Sequence, residues 1–172
     1  MREIAIREER PEDIDSIRTV NDKAFGQPDE GAIIDRLRDS CDELVSLVAI
    51  TSGQIVGHIL FSPVVLDGPG GTVGGMGLGP MAVLPRYQRL GIGSKLVEEG
   101  LEKLRITSCP FVVVLGHPDY YPRFGFEPAS GYGIKSEWDV PDEAFMILLT
   151  DPPEMKGRSG VAKYRPEFAE GM

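Results

Sequence analysis

Gln88-Arg89-Leu90-Gly91-Ile92-Gly93-Ser94 separates two segments of different period. Before it, Val73 to Leu84 reads as a strand made irregular by glycine and Pro80, and Pro85 closes it. After it, Ile92, Leu96, Val97, Leu101 and Leu104 recur at the spacing of an amphipathic helix. The start of a helix presents unpaired N–H groups and the positive end of the helix dipole, so a glycine loop there is an anion site. Gly91 and Gly93 allow a sharp turn and a close approach to a bulky phosphate. Ser94 can cap or donate, and Arg86, Arg89 and Lys95 add positive charge. A Walker loop is excluded, because no glycine followed by lysine and Ser/Thr occurs after the required gap. Gly77-Leu78-Gly79-Pro80-Met81-Ala82 matches a dinucleotide pattern only formally, since it leads into Val83-Leu84-Pro85 instead of a helix.

Outward from this loop, strands and helices alternate. Ile4 and Ile6 suggest a short first strand. Arg10-Pro11-Glu12-Asp13 starts a helix carrying Ile14, Ile17, Val20, Ala24 and Phe25, and Gly26 ends it. A shorter helix is expected from Glu30 to Asp39. Leu44 to Ile50 and Gln54 to Leu66 read as strands joined at Ser52-Gly53, with a second turn at Asp67 to Gly71. Phe111 to Leu115 is apolar on both faces and reads as a buried strand. A short helix at Pro118 to Phe124, a strand near Tyr132 to Ile134 and a last strand at Ala144 to Leu149 follow. Asp151-Pro152-Pro153 breaks the pattern, and Tyr164 and Phe168 are candidate anchors for the tail. Early hairpins imply antiparallel pairs, and the central strand–helix–strand unit implies a parallel one. The expectation is a mixed α/β fold, with helices on both faces of a central sheet.

Length and composition bound the function. The 172 residues suit one domain, 1–172, with a core at about 3–150 and an extension at 151–172. Apolar content of 41% and charged content of 26% are those of a globular chain. No apolar run reaches the roughly 20 residues of a bilayer span, and no signal-peptide pattern opens the chain. Cys41 and Cys109 match no metal spacing and read as free thiols, so the expectation is a cytoplasmic protein with no metal and no membrane partner. A net charge of −9 argues against nucleic acid and is compatible with a cationic substrate.

At the glycine loop the chain resembles the GNAT superfamily of N-acetyltransferases. The Q/R-x-x-G-x-G/A signature stands as Gln88 to Gly93. Pro80 to Pro85 is similar to the family's strand before it, and Tyr121-Pro122-Arg123-Phe124-Gly125-Phe126 to its Y-x-x-x-G-F element. The segment Leu115 to Pro128 is similar to the bacterial YhbS-like predicted acetyltransferases. The resemblance implies a central sheet splayed at its middle and acetyl-CoA as co-substrate. It also implies transfer of the acetyl group to a primary amine, of a small molecule or a peptide, by direct attack in a ternary complex. Backbone N–H groups of Leu90, Gly91, Ile92, Gly93 and Ser94 would cradle the pyrophosphate, and Gln88 and Arg89 belong to the same cofactor-binding loop. Met81, Ala82 and Val83 would line the pantetheine arm, with an N–H near Val83 polarising the thioester carbonyl. Family members are often dimers, which leaves a homodimer open.

Tyr121 is the candidate acid for the leaving thiolate, as it stands four residues before Gly125 like the family's tyrosine. His117, just after a buried strand, is the candidate base, with a water chain as the alternative. His58, Glu127, Glu137 and Asp139 rank lower. The strand Val73 to Leu84 lacks the glutamate that many family members carry there. Three other readings stay open on sequence: transfer of a different acyl group, a non-catalytic acyl-CoA-binding sensor, and a nucleotide-binding protein using the same loop.

Overall fold

The computed structural model describes residues 3–170. Met1, Arg2, Gly171 and Met172, assigned above to the ends of the domain, lie outside the described residues. The strands are β1 (Ala5–Glu8), β2 (Val45–Thr51), β3 (Gln54–Gly68), β4 (Gly71–Val83), β5 (Phe111–Leu115), β6 (Glu127–Pro128), β7 (Ile134–Ser136), β8 (Phe145–Leu149) and β9 (Gly160–Lys163). The helices are α1 (Ile14–Phe25), α2 (Asp29–Ser40), α3 (Ile92–Ile106), α4 (Pro152–Met155) and α5 (Glu167–Glu170). The hydrogen-bonded strand order is β1-β2-β3-β4-β5-β8-β6, with β9 pairing with β3 and β7. Pairing is mostly antiparallel, but β4–β5 and β7–β9 are parallel.

The chain divides into two compact units, and β3 and β4 pass through both. The first contains residues up to Phe61, Pro80–Glu102 and the segment from Pro166. In it, α1 buries Ile17, Val20 and Asn21, and ends where Gly26 turns left-handed at φ 70°. Glycine enters that region without the Cβ clash other residues meet. One apolar cluster joins Ile33, Ile34 and Leu37 of α2 to Leu60 of β3, with Leu44 and Phe168 packed against it. Phe168 thus anchors the tail as expected.

The helix that follows the glycine loop is seated by two glycines. A Cβ at Gly57 of β3 would lie 3.2 Å from both Ile92 and Leu96. A Cβ at Gly100 would stand 2.2 Å from the Phe61 ring. The contact at Gly100 holds α3 closer to β3 than alanine would allow, and the one at Gly57 leaves a methyl only a tight fit.

The second unit comprises Ser62–Gly79 and Lys103–Arg165. Its core joins Val64 and Leu66 of β3, Phe111 and Val113 of β5, and Phe145 and Ile147 of β8 with Ala129, Ile134, Met155 and Ala162. Strand β5 is buried from Phe111 to Val114, which accounts for its unbroken apolar run. Strand β4 is continuous through Pro80, and its ladder with β5 runs from Met76 opposite Val112 to Leu78 opposite Val114. Irregularity is concentrated at the next residue, Gly79, where φ is 140°. Other β4 glycines make room for rings: a Cβ at Gly75 would lie 2.6 Å from Phe111, and one at Gly77 would lie 2.6 Å from Tyr164.

The short helix expected at Pro118 to Phe124 is a 3-10 turn at Tyr121–Phe124. The strand expected near Tyr132 to Ile134 lies slightly later, at Ile134–Ser136. The tail is more regular than its sequence suggests. Strand β9 pairs with β3 over Val161–Lys163, and glycines at their crossing permit the approach. A Cβ at Gly68 would fall 1.9 Å from the Ser159 carbonyl oxygen, and one at Gly160 would fall 2.1 Å from that of Asp67.

Candidate active site

The glycine loop stands in the first unit, at the head of α3. Leu84 N–H donates to Val56 O at 2.8 Å, which holds the end of the β4 segment against β3. Residues Pro85–Tyr87 then form a 3-10 turn. Gln88 reaches back over it: its Nε2 donates to Val83 O at 2.9 Å. The Gln88 side chain therefore braces the turn. Arg89 and Gly91 both adopt left-handed backbone, with φ 66° and 84°. For arginine this costs on the order of 1 kcal/mol, a strain that the surrounding turn must hold.

Leu90 points outward and is 51% exposed, whereas Ile92 is buried and pins the helix. Lys95 N–H bonds Gly91 O at 3.1 Å, as the first rung of the helix ladder. The N–H groups from Gly91 to Ser94 precede that rung, at the positive end of the dipole. A Cβ built at Gly91 would meet nothing within 4 Å. Glycine is needed there for its φ, and the space beside it is open. Arg86, Arg89 and Lys95 are exposed around the loop. On the strand before it, Ala82 is buried, and Met81 and Val83 are partly buried.

Tyr121 stands in the second unit, at the first position of the 3-10 turn. His117 O accepts the N–H groups of Tyr120 and Tyr121 at 3.1 and 3.4 Å. An aromatic cluster sets the Tyr121 ring: its centroid is 5.0 Å from Tyr120, 6.4 Å from Phe124 and 5.8 Å from Phe126. Arg123 lies over Tyr120 at 4.4 Å and closes the cluster. Tyr121 is 8% exposed. Burial pushes its phenol up to about 12, with Tyr120 contributing. Tyr121 thus keeps its proton at neutral pH and can serve as a hydrogen-bond donor.

The two histidines differ. His117 is exposed at the end of β5. His58 is fully buried in the first unit, with both ring nitrogens engaged. Asn21 Nδ2 lies 3.3 Å from its Nδ1 and also donates to Ile17 O at 3.0 Å. Ser46 Oγ lies 2.8 Å from its Nε2 and donates to Glu9 Oε1 at 2.7 Å. Glu9 is held in turn by Arg38. These donors require Nε2 to carry the proton and Nδ1 to accept. Burial pushes His58 down to about 4, against the pull of Glu9 and with Arg38 adding to the fall. Its role is to order α1 against β2 and β3.

Among the other acids considered, Glu127 accepts the Tyr132 hydroxyl, Glu137 accepts the Tyr164 N–H, and Asp139 is exposed. Among the described residues no group of three or more His, Cys, Asp or Glu side chains could hold a metal ion. In the same residues no helix is long and apolar enough to cross a membrane.

The family described as Acetyltransferase (GNAT) domain matches residues 5–129. The chain belongs to this family. It is accordingly an acyltransferase of the N-acetyltransferase class. It is 40% identical over 134 residues to the uncharacterized N-acetyltransferase YjhQ of Escherichia coli K12, covering 76% of this chain and 74% of that protein. It is 32% identical over 164 residues to the uncharacterized N-acetyltransferase YhbS of the same strain, covering 95% and 97%. The crystal structure of E. coli YhbS in complex with CoA superimposes with a TM-score of 0.89 at 31% identity, covering 98% of this chain and 93% of that one. A GNAT family acetyltransferase from Brucella melitensis, in complex with acetyl-CoA, gives 0.80 at 38% identity, covering 98% and 99%. The mixed α/β architecture is that of these neighbours, as the family resemblance implied.

The sequence reading missed Gly116, whose lack of a side chain makes room for Tyr121, and the pairing of Trp138 with Tyr164. Neither could be found from periodicity, because both are side-chain contacts that exist only once the chain has folded.

Proposed function

We propose that the protein transfers an acetyl group from acetyl-CoA to a primary amine by direct attack. The backbone N–H groups of residues 90–94 receive the pyrophosphate. Main-chain groups of Met81, Ala82 and Val83 line the pantetheine arm. The observation that carries this reading is the open left-handed turn at Arg89–Gly91, set ahead of the first rung of α3. The CoA and acetyl-CoA bound by the E. coli and B. melitensis neighbours support it.

In the transfer, the neutral amine nitrogen attacks the thioester carbonyl carbon. The C–N bond forms, the C–S bond breaks and the electron pair leaves on sulfur. The nitrogen sheds a proton and the sulfur gains one. Tyr121, which burial keeps protonated at neutral pH, is the acid that donates to the departing sulfur. His117 or a water chain takes the proton that the nitrogen sheds.

Calorimetric titration with acetyl-CoA, followed by thiol release on a panel of primary amines, tests the proposal. Micromolar binding with amine-dependent release is expected. Binding without turnover on any amine would favour the acyl-CoA sensor. Thermal stabilisation by ATP and not by acetyl-CoA would replace the reading with a nucleotide site.

A further inference from the structure

We infer that Glu137, Trp138 and Tyr164 form a subsite for a cationic group of the acceptor, which makes the acceptor an amine bearing a second positive charge. The inference rests on the acetyltransferase reading and adds the class of substrate.

All three residues belong to the second unit, as does Tyr121. The Trp138 and Tyr164 rings lie 4.9 Å apart at 33°, a tilted stack. Tyr164 N–H donates to Glu137 Oε1 at 2.9 Å, which fixes the carboxylate beside that stack. Trp138 N–H donates to Ser136 Oγ at 3.0 Å and orders the approach from β7. The Tyr164 ring fills the space above Gly77 of β4, with Val64 beside it. Gly77 stands opposite Val113 in the β4–β5 ladder, and β5 leads directly to Gly116 and the Tyr121 turn. Burial, Glu137 and Tyr121 all raise the Tyr164 phenol, in that order, so Tyr121 is within electrostatic reach of the same corner.

Glu137 is exposed, and Trp138 is only partly buried, so ring atoms outside the stack stay reachable. An anchored carboxylate beside an indole suits an ammonium group through charge and cation–π attraction. The net charge of −9 draws cations toward the molecule in general, and this corner gives one a defined seat.

A cation held this way must stay charged, whereas the attacking nitrogen must be neutral. One amine cannot meet both demands at once. The acceptor therefore carries a cationic group apart from the nitrogen that is acetylated, as a diamine does.

Steady-state kinetics with saturating acetyl-CoA test this, using 1,5-diaminopentane and pentylamine as matched probes. The wild-type protein is expected to favour the diamine in kcat/KM by at least about tenfold. Glu137→Gln keeps an acceptor for Tyr164 N–H but loses the charge. It should raise KM for the diamine about tenfold, leave pentylamine unchanged and leave acetyl-CoA affinity unchanged. Trp138→Phe, which keeps an aromatic partner for Tyr164, should give a smaller rise in the same KM. Equal use of the two probes by the wild type, an unchanged preference in Glu137→Gln, or turnover of pentylamine without turnover of the diamine would each overturn the subsite. Failure to bind acetyl-CoA, or binding without turnover of either probe, would instead overturn the functional reading beneath it.

Discussion

Gly116 leaves room for the Tyr121 ring: a Cβ at position 116 would stand 2.5 Å from Tyr121 Cε2 and 3.1 Å from Cδ2. Gly116 N–H donates to Ala144 O at 2.9 Å, so its backbone cannot drift away from the ring. Glycine here is a packing requirement that sets where a phenol sits. Gly116→Ala should displace the ring at a cost of about 1–3 kcal/mol in stability. Its diagnostic effect is a fall in kcat with little change in acetyl-CoA affinity. Unchanged kcat in a folded variant would separate the ring's position from catalysis.

Tyr121→Phe keeps the aromatic cluster and removes only the hydroxyl. Turnover should fall at least about tenfold while acetyl-CoA still binds as before. Because burial raises the phenol to about 12, it stays protonated through the ordinary assay range. An alkaline fall in wild-type activity below about pH 10 therefore belongs to another group. Wild-type turnover in Tyr121→Phe would remove the hydroxyl from the mechanism.

At Gly91 the demand is conformational, since a Cβ would meet no atom within 4 Å but φ is 84°. Gly91→Ala should cost about 1–2 kcal/mol in the turn and weaken acetyl-CoA binding about tenfold. Asparagine tolerates this region better, so Gly91→Asn should lose less. Equal binding by all three proteins in a calorimetric titration would show that the turn does not hold the cofactor.

His58 makes stability depend on pH. Its folded value is about 4, below the ordinary 6.5 of the unfolded chain. Between these values the unfolded chain binds a proton that the folded one refuses, so stability rises with pH across the window. Falling from pH 7 to pH 4 should cost on the order of 3 kcal/mol from this group. Glu9 and Asp13, both held below their usual range in the fold, add losses only below about pH 4.5. Urea unfolding from pH 4 to 7 should show this slope, and His58→Gln should flatten it between pH 4.5 and 6.5. A parallel curve for the variant would assign the slope elsewhere.

Local signals in the chain explain much of what was readable. The helical spacing of Ile92 to Leu104 and the unbroken apolar run of Phe111 to Leu115 each report burial on a known period, and both elements appear where expected. Gly26 ends α1 for a reason visible in one residue. The tail was legible only at its anchors, Tyr164 and Phe168. Strand β9 is four residues long, Gly160–Lys163, too short for a periodic signal, and it exists because β3 and β7 offer it partners.

By itself, the sequence determined the family and the place of the glycine loop, because Gln88 to Ser94 needs only its own backbone and the helix it starts. It also marked Tyr121 as a candidate through its place before Gly125. Tertiary structure decided which side chains these residues meet. Only packing could show that Gln88 donates to Val83 O, that both His58 nitrogens are engaged in the interior, or that Trp138 and Glu137 gather at Tyr164. Hydrogen bonds and ring contacts between distant residues leave no period in a sequence, since they arise from the folded geometry that long-range burial creates.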